Sequence, residues 1–295
     1  MATTIPPPAG SPPRFSCLVY RTGNLGDVIQ TMALTRLMPP MTGVFRHALG
    51  TAPVDRTFVV NGFLERDTTP RAGASCLFAG VSGPYEQQAS YYRWLGRSRW
   101  PVGARDPASV LRLAAAGLDA ELAGCATLTF PRFEGPRSGV LAVDCDGPGE
   151  RITHAISRTL TVEGQWRRGR ELLDRYRSAE AVYTSRLHVA LPCLAFGTPV
   201  SITRPDPRVF PQRFSLLEEL GVPFGELTVR DVSGGADRYR SFLERHLGIT
   251  IEAGEPQPPT LAKPDRLHLR AATRFALEDF NWSLRLRVWK LLGWS

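Results

Sequence analysis

Lysine is almost missing from this chain: of its 36 basic residues only Lys263 and Lys290 are lysine. A P-loop needs a lysine beside its glycine-rich turn to reach the β and γ phosphates, so P-loop nucleotide hydrolysis is excluded. The G-x-G-x-x-G turn of a dinucleotide site is absent, as is the G-x-S-x-G elbow of an α/β-hydrolase. No Glu-x-x-His, His-x-His or paired-cysteine spacing offers a metal-ligand set, so hydrolase and metalloenzyme readings lose support. The five cysteines are an odd count in apolar surroundings, which reads as reduced, intracellular and mostly core. There is no uncharged apolar run of ~18 residues, and no apolar stretch follows Met1 as a secretory leader requires. The first 13 residues, rich in Pro, Ala and Thr, are expected to be a disordered start to a soluble protein.

What the chain does have is apolar content and alternating strand and helix patterns. At 295 residues and 43% hydrophobic it exceeds the usual span of one core, which predicts two domains of roughly 120 to 150 residues. A net charge of +8 and a pI of about 9.6 would suit nucleic acid if the arginines were clustered. They are scattered, and biased codon usage accounts for the arginine skew as well as phosphate contacts do. Nucleic acid is therefore set aside as a partner and acidic small molecules are retained.

Segments 15–20, 57–60 and 75–78 are short apolar runs that predict buried strands. Segment 28–37 has helical spacing through Ile29, Met32, Ala33 and Leu37 until Pro39 and Pro40 stop it. A helix is expected over 107–116, with Asp106 as its N-cap and Pro107 in its first position, followed by a strand at 126–130. After a polar, Pro-containing stretch at 131–138, strands at 139–143, 181–183 and 200–202 alternate with helices at 170–177 and 189–196. Such alternation in both halves implies an α/β protein with parallel sheets. The expected layout is a disordered 1–13, an N-terminal domain at 14–135, a C-terminal domain at 136–253, a Pro-rich linker at 254–264 and a basic amphipathic helical segment at 265–295.

Three strand-to-helix junctions carry residues suited to anionic ligands. In Gly23-Asn24-Leu25-Gly26-Asp27 the glycines permit a tight turn and close backbone approach, while Asn24 brings an amide and Asp27 a carboxylate that can act as base or as helix cap. In Gly103-Ala104-Arg105-Asp106 the Arg105 fork suits a carboxylate or phosphate, or an ion pair with its neighbour. In Thr184-Ser185-Arg186-Leu187-His188, Thr184 or Ser185 can cap the helix that follows, which puts Arg186 and His188 in its first turn near anion-binding N–H groups. Pro192 removes the donor that would bond the His188 carbonyl, so a bend is expected there. His154, ahead of Ile156 and Leu160, is a weaker candidate whose ordinary reading is structural.

In this order the pieces resemble the polysaccharide pyruvyl transferase family, over most of residues 15 to about 225. The resemblance rests on Gly23-Asn24-Leu25-Gly26-Asp27 with Gln30-Thr31-Met32-Ala33, on Gly103-Ala104-Arg105-Asp106, and on Gly124-Cys125-Ala126-Thr127-Leu128-Thr129. It rests too on Tyr183-Thr184-Ser185-Arg186-Leu187-His188 with Ala190-Leu191-Pro192-Cys193 and Gly197-Thr198-Pro199-Val200. It implies two Rossmann-like domains in a glycosyltransferase-B-like pair, with the active site in the interdomain cleft. The implied activity is transfer of pyruvate from phosphoenolpyruvate to sugar hydroxyls as a ketal, in polysaccharide biosynthesis for the cell envelope. Asp27, Arg105, Arg186 and His188 fall on the family's motif positions. The implied roles are His188 as acid, Asp27 as base or acceptor-orienting carboxylate, and Arg105 and Arg186 as clamps on the donor. Asn24, Gly26, Ser185, Leu187 and His154 complete the implied substrate-binding set. Neither metal nor cofactor is implied beyond the phosphoenolpyruvate donor, and the partner is a saccharide that can be free, nucleotide-linked or lipid-linked.

Two other readings stay open. A glycosyltransferase of the same architecture would use Arg186 against a nucleotide-sugar diphosphate, and a non-catalytic glycan-binding protein would keep the fold alone. The segment 265–295, with Trp282, Trp289 and Trp294 among Arg274, Arg285, Arg287 and Lys290, can lie on an anionic membrane or pack back across the N-terminal domain. The first option would bring a cytoplasmic protein to the inner face of the membrane, near a lipid-linked acceptor.

Overall fold

The computed structural model describes residues 14–20, 22–63, 75–82, 89–203 and 214–262. The expected disordered start and the expected basic C-terminal segment lie outside them. Among the described residues no helix is long and apolar enough to cross a membrane.

The architecture is α/β, with two parallel sheets as expected. The first sheet takes β1 (Phe15–Val19), β2 (Met41–Phe45), β3 (Thr57–Phe63), β4 (Ser75–Ser82), β5 (Val102–Ala104) and β6 (Ala120–Leu122). The second takes β7 (Val140–Val143), β8 (Glu150–Ile152), β9 (Ala181–Thr184) and β10 (Val200–Ile202). A last short strand, β11 (Thr260–Leu261), returns to the first sheet, whose order is β11-β2-β1-β3-β4-β5-β6, while the second runs β10-β9-β7-β8. Every strand pair is parallel. Strands covered on both faces need apolar residues at successive positions, and β1 is buried at all five.

Among the described residues seven α-helices connect and cover the strands: α1 (Leu25–Thr35), α2 (Ala89–Leu95), α3 (Pro107–Ala115), α4 (Val162–Ser178), α5 (Leu187–Phe196), α6 (Ser215–Glu219) and α7 (Ser233–Leu247). Helix α3 starts as its sequence predicts, with Asp106 accepting from Ser109 N–H at 2.8 Å and Pro107 next to it. Helix α1 begins earlier than its apolar spacing suggests, because the Asn24 side chain accepts from Gly26 N–H and sets the first turn at Leu25. Nearly all of α1 is buried, as a helix walled in on every side must be. Its neighbours come from both sheets. Leu25, Val28 and Met32 join Trp166 and Leu172 of α4 and Leu187 and Leu191 of α5 in one continuous core. Gly169 permits the α1–α4 approach, since a Cβ there would stand 2.8 Å from the Met32 sulfur.

Three segments depart from expectation. Residues 126–130, expected as a strand, form a 3-10 turn at Ala126–Thr129. Thr129 Oγ1 donates to the Ala126 carbonyl at 2.7 Å and Cys125 pairs with Thr127, so local side-chain bonds displace the sheet ladder. Residues 260–261, expected within a linker, pair with β2 as β11. Helix α7, expected in the C-terminal domain, packs on the first sheet: Tyr239 Oη donates to the Ala79 carbonyl at 3.2 Å, and the Phe242 ring fills the space a Cβ on Gly103 would take. The chain thus leaves the first sheet, builds the second, and comes back to cover the apolar face of β4 and β5.

The cysteines are free thiols, with Cys17, Cys76, Cys125 and Cys193 buried and Cys145 half-buried. Burial raises the thiol pKa of Cys17, Cys76 and Cys193, as structural rather than reactive thiols require.

Candidate functional site

The junction from β9 into α5 is fixed by side chains that turn inward. Thr184 Oγ1 donates to the Val143 carbonyl at 3.1 Å and accepts from Arg186 N–H at 2.9 Å, while Ser185 Oγ donates to the Asp144 carbonyl at 2.8 Å. Neither hydroxyl caps α5, contrary to the sequence expectation. Arg186 itself is the N-cap, in extended conformation and with no side-chain cap bond, so the first-turn N–H groups of α5 are not satisfied by a capping side chain. The expected bend is present: His188 has φ −84° and ψ 18°, outside helical values, four residues ahead of Pro192.

Arg186 reaches back to β7. Its Nε donates to Asp144 Oδ2 at 2.9 Å, with the arginine side chain 40% exposed and the aspartate 14%. The two terminal guanidinium nitrogens make no hydrogen bond among the described residues, which leaves the outer half of a planar, permanently charged fork at a helix N-terminus. That arrangement has the charge and donor geometry suited to an anion.

The glycine-rich loop of the first sheet lies against the same junction. A Cβ on Gly26 would meet His188 Cβ at 3.2 Å and Nδ1 at 3.3 Å, so the missing side chain is what lets α1 and α5 bring their first turns together. The loop is also fastened to the segment after β8. Leu25 N–H donates to the His154 carbonyl at 3.0 Å, Ile156 N–H to the Gly23 carbonyl at 3.0 Å, and Asn24 and Ala155 form an antiparallel bridge. Asp27, one residue beyond Gly26, accepts from Thr22 Oγ1 at 3.2 Å and faces Arg46 Nη1 at 3.6 Å. Arg46 in turn lies over the Tyr20 ring, 4.9 Å from its centroid.

Of the residues named from sequence, Asn24, Gly26, Asp27, His154, Ser185, Arg186, Leu187 and His188 are thus connected in one neighbourhood. Leu187 belongs to the apolar core at 1% exposure and gives the junction only its backbone. His154 is also 1% exposed, its ring tilted 32° to that of Tyr176 with centroids 5.8 Å apart and neither ring nitrogen hydrogen-bonded. Burial, opposed by Asp144 and helped by Arg186, pushes its pKa down to about 4, so the imidazole is neutral at neutral pH. Its contribution to the site is made by its backbone. Arg105 stands apart, buried at the end of β5, with Nε and Nη2 on Asp106 Oδ2 at 3.2 and 3.1 Å and Nη2 also on Ser82 Oγ at 3.0 Å. It shares no described partner with Arg186.

Three contributors went unread in the sequence: Asp144, Arg46 and Ser82. Asp144 had a readable signal, an acidic residue directly after an apolar strand, where sheet ligands gather. Arg46 and Ser82 had none, because each owes its place to the register of β2 or β4 against its neighbours.

No curated protein matches the chain. Among solved structures, an uncharacterized protein from Klebsiella pneumoniae is similar at 13% identity and a TM-score of 0.43, covering 69% of this chain and 88% of that one. The family model for polysaccharide pyruvyl transferase matches residues 73–206, which begin after the Gly23–Asp27 loop and include Arg105, Asp144, His154, Arg186 and His188. Over that stretch the chain is matched to the polysaccharide pyruvyl transferase family, the family its motifs resemble.

Proposed function

We propose that this protein transfers pyruvate from phosphoenolpyruvate to two hydroxyls of a saccharide, forming a ketal and releasing phosphate. The observation that carries the reading is the outer edge of the Arg186 guanidinium, partly exposed beside His188 at the start of α5, within the family match. Phosphoenolpyruvate carries a carboxylate and a phosphate on one small frame, and a planar fork beside helix N–H groups suits either.

In this reading the enol methylene accepts a proton and becomes the methyl group, leaving C2 electrophilic. A first sugar hydroxyl adds to C2 and gives up its proton. Phosphate then leaves with its C–O electron pair, and a second hydroxyl closes the ring and gives up its own. Of the two hydroxyl protons, one balances the proton taken by the methylene and the other leaves with phosphate. His188 is the proposed acid and Asp27 the proposed base or acceptor-orienting carboxylate, with Asn24, Gly26 and Ser185 shaping the pocket. Asp27 accepts from Thr22 Oγ1 and faces Arg46, which holds its carboxylate in place for that role. Arg105 is proposed as a second cationic group, one that Asp106 must share with a ligand.

The test is phosphate release from phosphoenolpyruvate across a panel of saccharide acceptors. Release with at least one acceptor is expected, with Arg186→Gln lowering kcat/KM roughly a hundredfold and His188→Asn abolishing turnover in a folded protein. No release from any acceptor, or undiminished turnover in both variants, refutes the reading.

A further inference from the structure

Asp144 closes β7 and lies outside every motif that carries the family resemblance. All of its polar groups are engaged. Its N–H donates to the Ile152 carbonyl at 3.1 Å, its carbonyl accepts from Ser185 Oγ at 2.8 Å, and Oδ1 accepts from Thr153 Oγ1 at 2.6 Å. Oδ2 accepts both the His154 N–H at 3.1 Å and the Arg186 Nε–H at 2.9 Å. Its φ of 51° is the left-handed conformation that Asp, Asn and Gly adopt more readily than other residues. A carboxylate held this way cannot swing, so whatever it bonds is held as well. An exposed arginine otherwise samples many rotamers, and ordering them weakens any ligand bond it makes. Burial alone would raise the Asp144 pKa, but hydrogen bonds from Thr153 and His154 and the charge of Arg186 outweigh it and hold the carboxyl below its ordinary value.

We propose that Asp144 is the positioning residue for Arg186: by taking Nε it fixes the guanidinium plane and aims the two terminal nitrogens at the anionic group of the donor. Through His154, whose N–H it accepts and whose carbonyl holds Leu25 N–H, the same residue ties that aim to the start of α1. The inference rests on the reading of this junction as a phosphoenolpyruvate site.

Asp144→Asn is the informative variant, because asparagine tolerates the left-handed backbone and keeps an acceptor for the neighbouring donors while removing the charge. Two measurements are made on the full chain. In the ligand-free protein, NMR should show the Arg186 Nε–H exchanging with water about tenfold faster in the variant, a signature that general loss of stability would spread over many resonances. By calorimetry, phosphoenolpyruvate should bind roughly tenfold more weakly to Asp144→Asn, and the substitution should add less than about twofold on an Arg186→Gln background. Wild-type affinity in Asp144→Asn, or a loss that adds in full to that of Arg186→Gln, overturns the inference alone. A wild-type protein that takes up no phosphoenolpyruvate while its Arg186 Nε–H stays protected overturns the donor reading and with it the target of the aim. Should Asp144→Asn fail to fold, Arg186→Lys keeps the charge and leaves Asp144 in place but has no Nε to anchor. It should bind phosphoenolpyruvate roughly tenfold more weakly, and wild-type affinity there also overturns the inference.

Discussion

Acid should weaken this protein through His154 before it protonates the carboxylates. The imidazole is 1% exposed, neither nitrogen has a hydrogen-bond partner, and its pKa falls from 6.5 to about 4. Between those values the unfolded chain binds a proton at this residue that the folded chain refuses, so stability falls as pH falls. The contribution is intact above 6.5, declines through the interval and is lost near pH 4 and below. At about 1.4 kcal/mol per unit the full loss is about 3 kcal/mol, a large share of the margin of an ordinary domain. His154→Leu removes the titrating ring and keeps an apolar contact for Tyr176. Urea unfolding of both proteins from pH 7 to pH 4 isolates the effect, because other titrating groups cancel in the difference. At pH 7 the variant should be no less stable than the wild type, since two unpaired ring nitrogens no longer need burying. As pH falls the variant should gain about 3 kcal/mol on the wild type. A difference that stays flat across the interval, or one that favours the wild type in acid, would refute a buried, unpartnered imidazole.

Gly26→Ala should leave stability within about 1 kcal/mol, helix propensity offsetting the crowding, yet lower phosphate release about tenfold by pressing a methyl on His188; wild-type turnover would show that the α1–α5 contact does not shape the site. Gly103→Ala should cost about 3 kcal/mol by urea unfolding, because the new Cβ would stand 2.5 Å from the Phe242 ring and 2.7 Å from the Phe78 carbonyl. Adding Phe242→Leu should recover part of that loss, and failure to do so would mean α7 does not pack on β5 as described. Asp106→Ala should cost about 3 to 5 kcal/mol, leaving Arg105 buried beside an absent charge and α3 without its cap. A loss under about 1 kcal/mol would contradict a buried ion pair.

The α/β class, the parallel sheets and the two strand-to-helix junctions that meet were legible because each rests on local chemistry. The apolar residues of β1, the cap at Asp106 and the bend ahead of Pro192 are written within a few neighbouring residues. What was not legible depends on distant partners. Nothing in the composition of 233–261 says that α7 and β11 return to the first sheet, because that placement comes from the apolar faces they cover. The 3-10 turn at Ala126–Thr129 shows the opposite failure, where an apolar run read as a strand was redirected by two threonine hydroxyls and a thiol. Within the site, the motif residues were readable but their partners were not. Asp144 reaches Arg186 across 42 residues and Arg46 reaches Asp27 from the turn just after β2, contacts that depend on the parallel register.

Two main-chain hydrogen bonds make the Gly23–Asp27 loop and the segment after β8 behave as one piece. Leu25 N–H on the His154 carbonyl and Ile156 N–H on the Gly23 carbonyl together form the Asn24–Ala155 bridge, indifferent to side-chain rotamers, and a shared apolar core of α1, α4 and α5 lies beneath them. Moving one helix start relative to the other would break those bonds and open a close-packed interior at the same time, a cost that packing does not permit in small steps. The first turns of α1 and α5 are therefore held side by side before any ligand arrives, and the partial positive charges of two helix N-termini add to the fixed charge of Arg186. Preorganisation of this sort removes the reorganisation that a flexible cationic site needs for each anion it binds. Arg105 has no such tie to Arg186. Its buried pairing with Asp106, whose other oxygen accepts from Ser215 Oγ at 3.1 Å, holds it at the end of its own strand. A donor held by both arginines would therefore be gripped firmly on the α5 side and recruited against an internal competitor on the β5 side, so Arg186→Gln should weaken donor binding more than Arg105→Gln does.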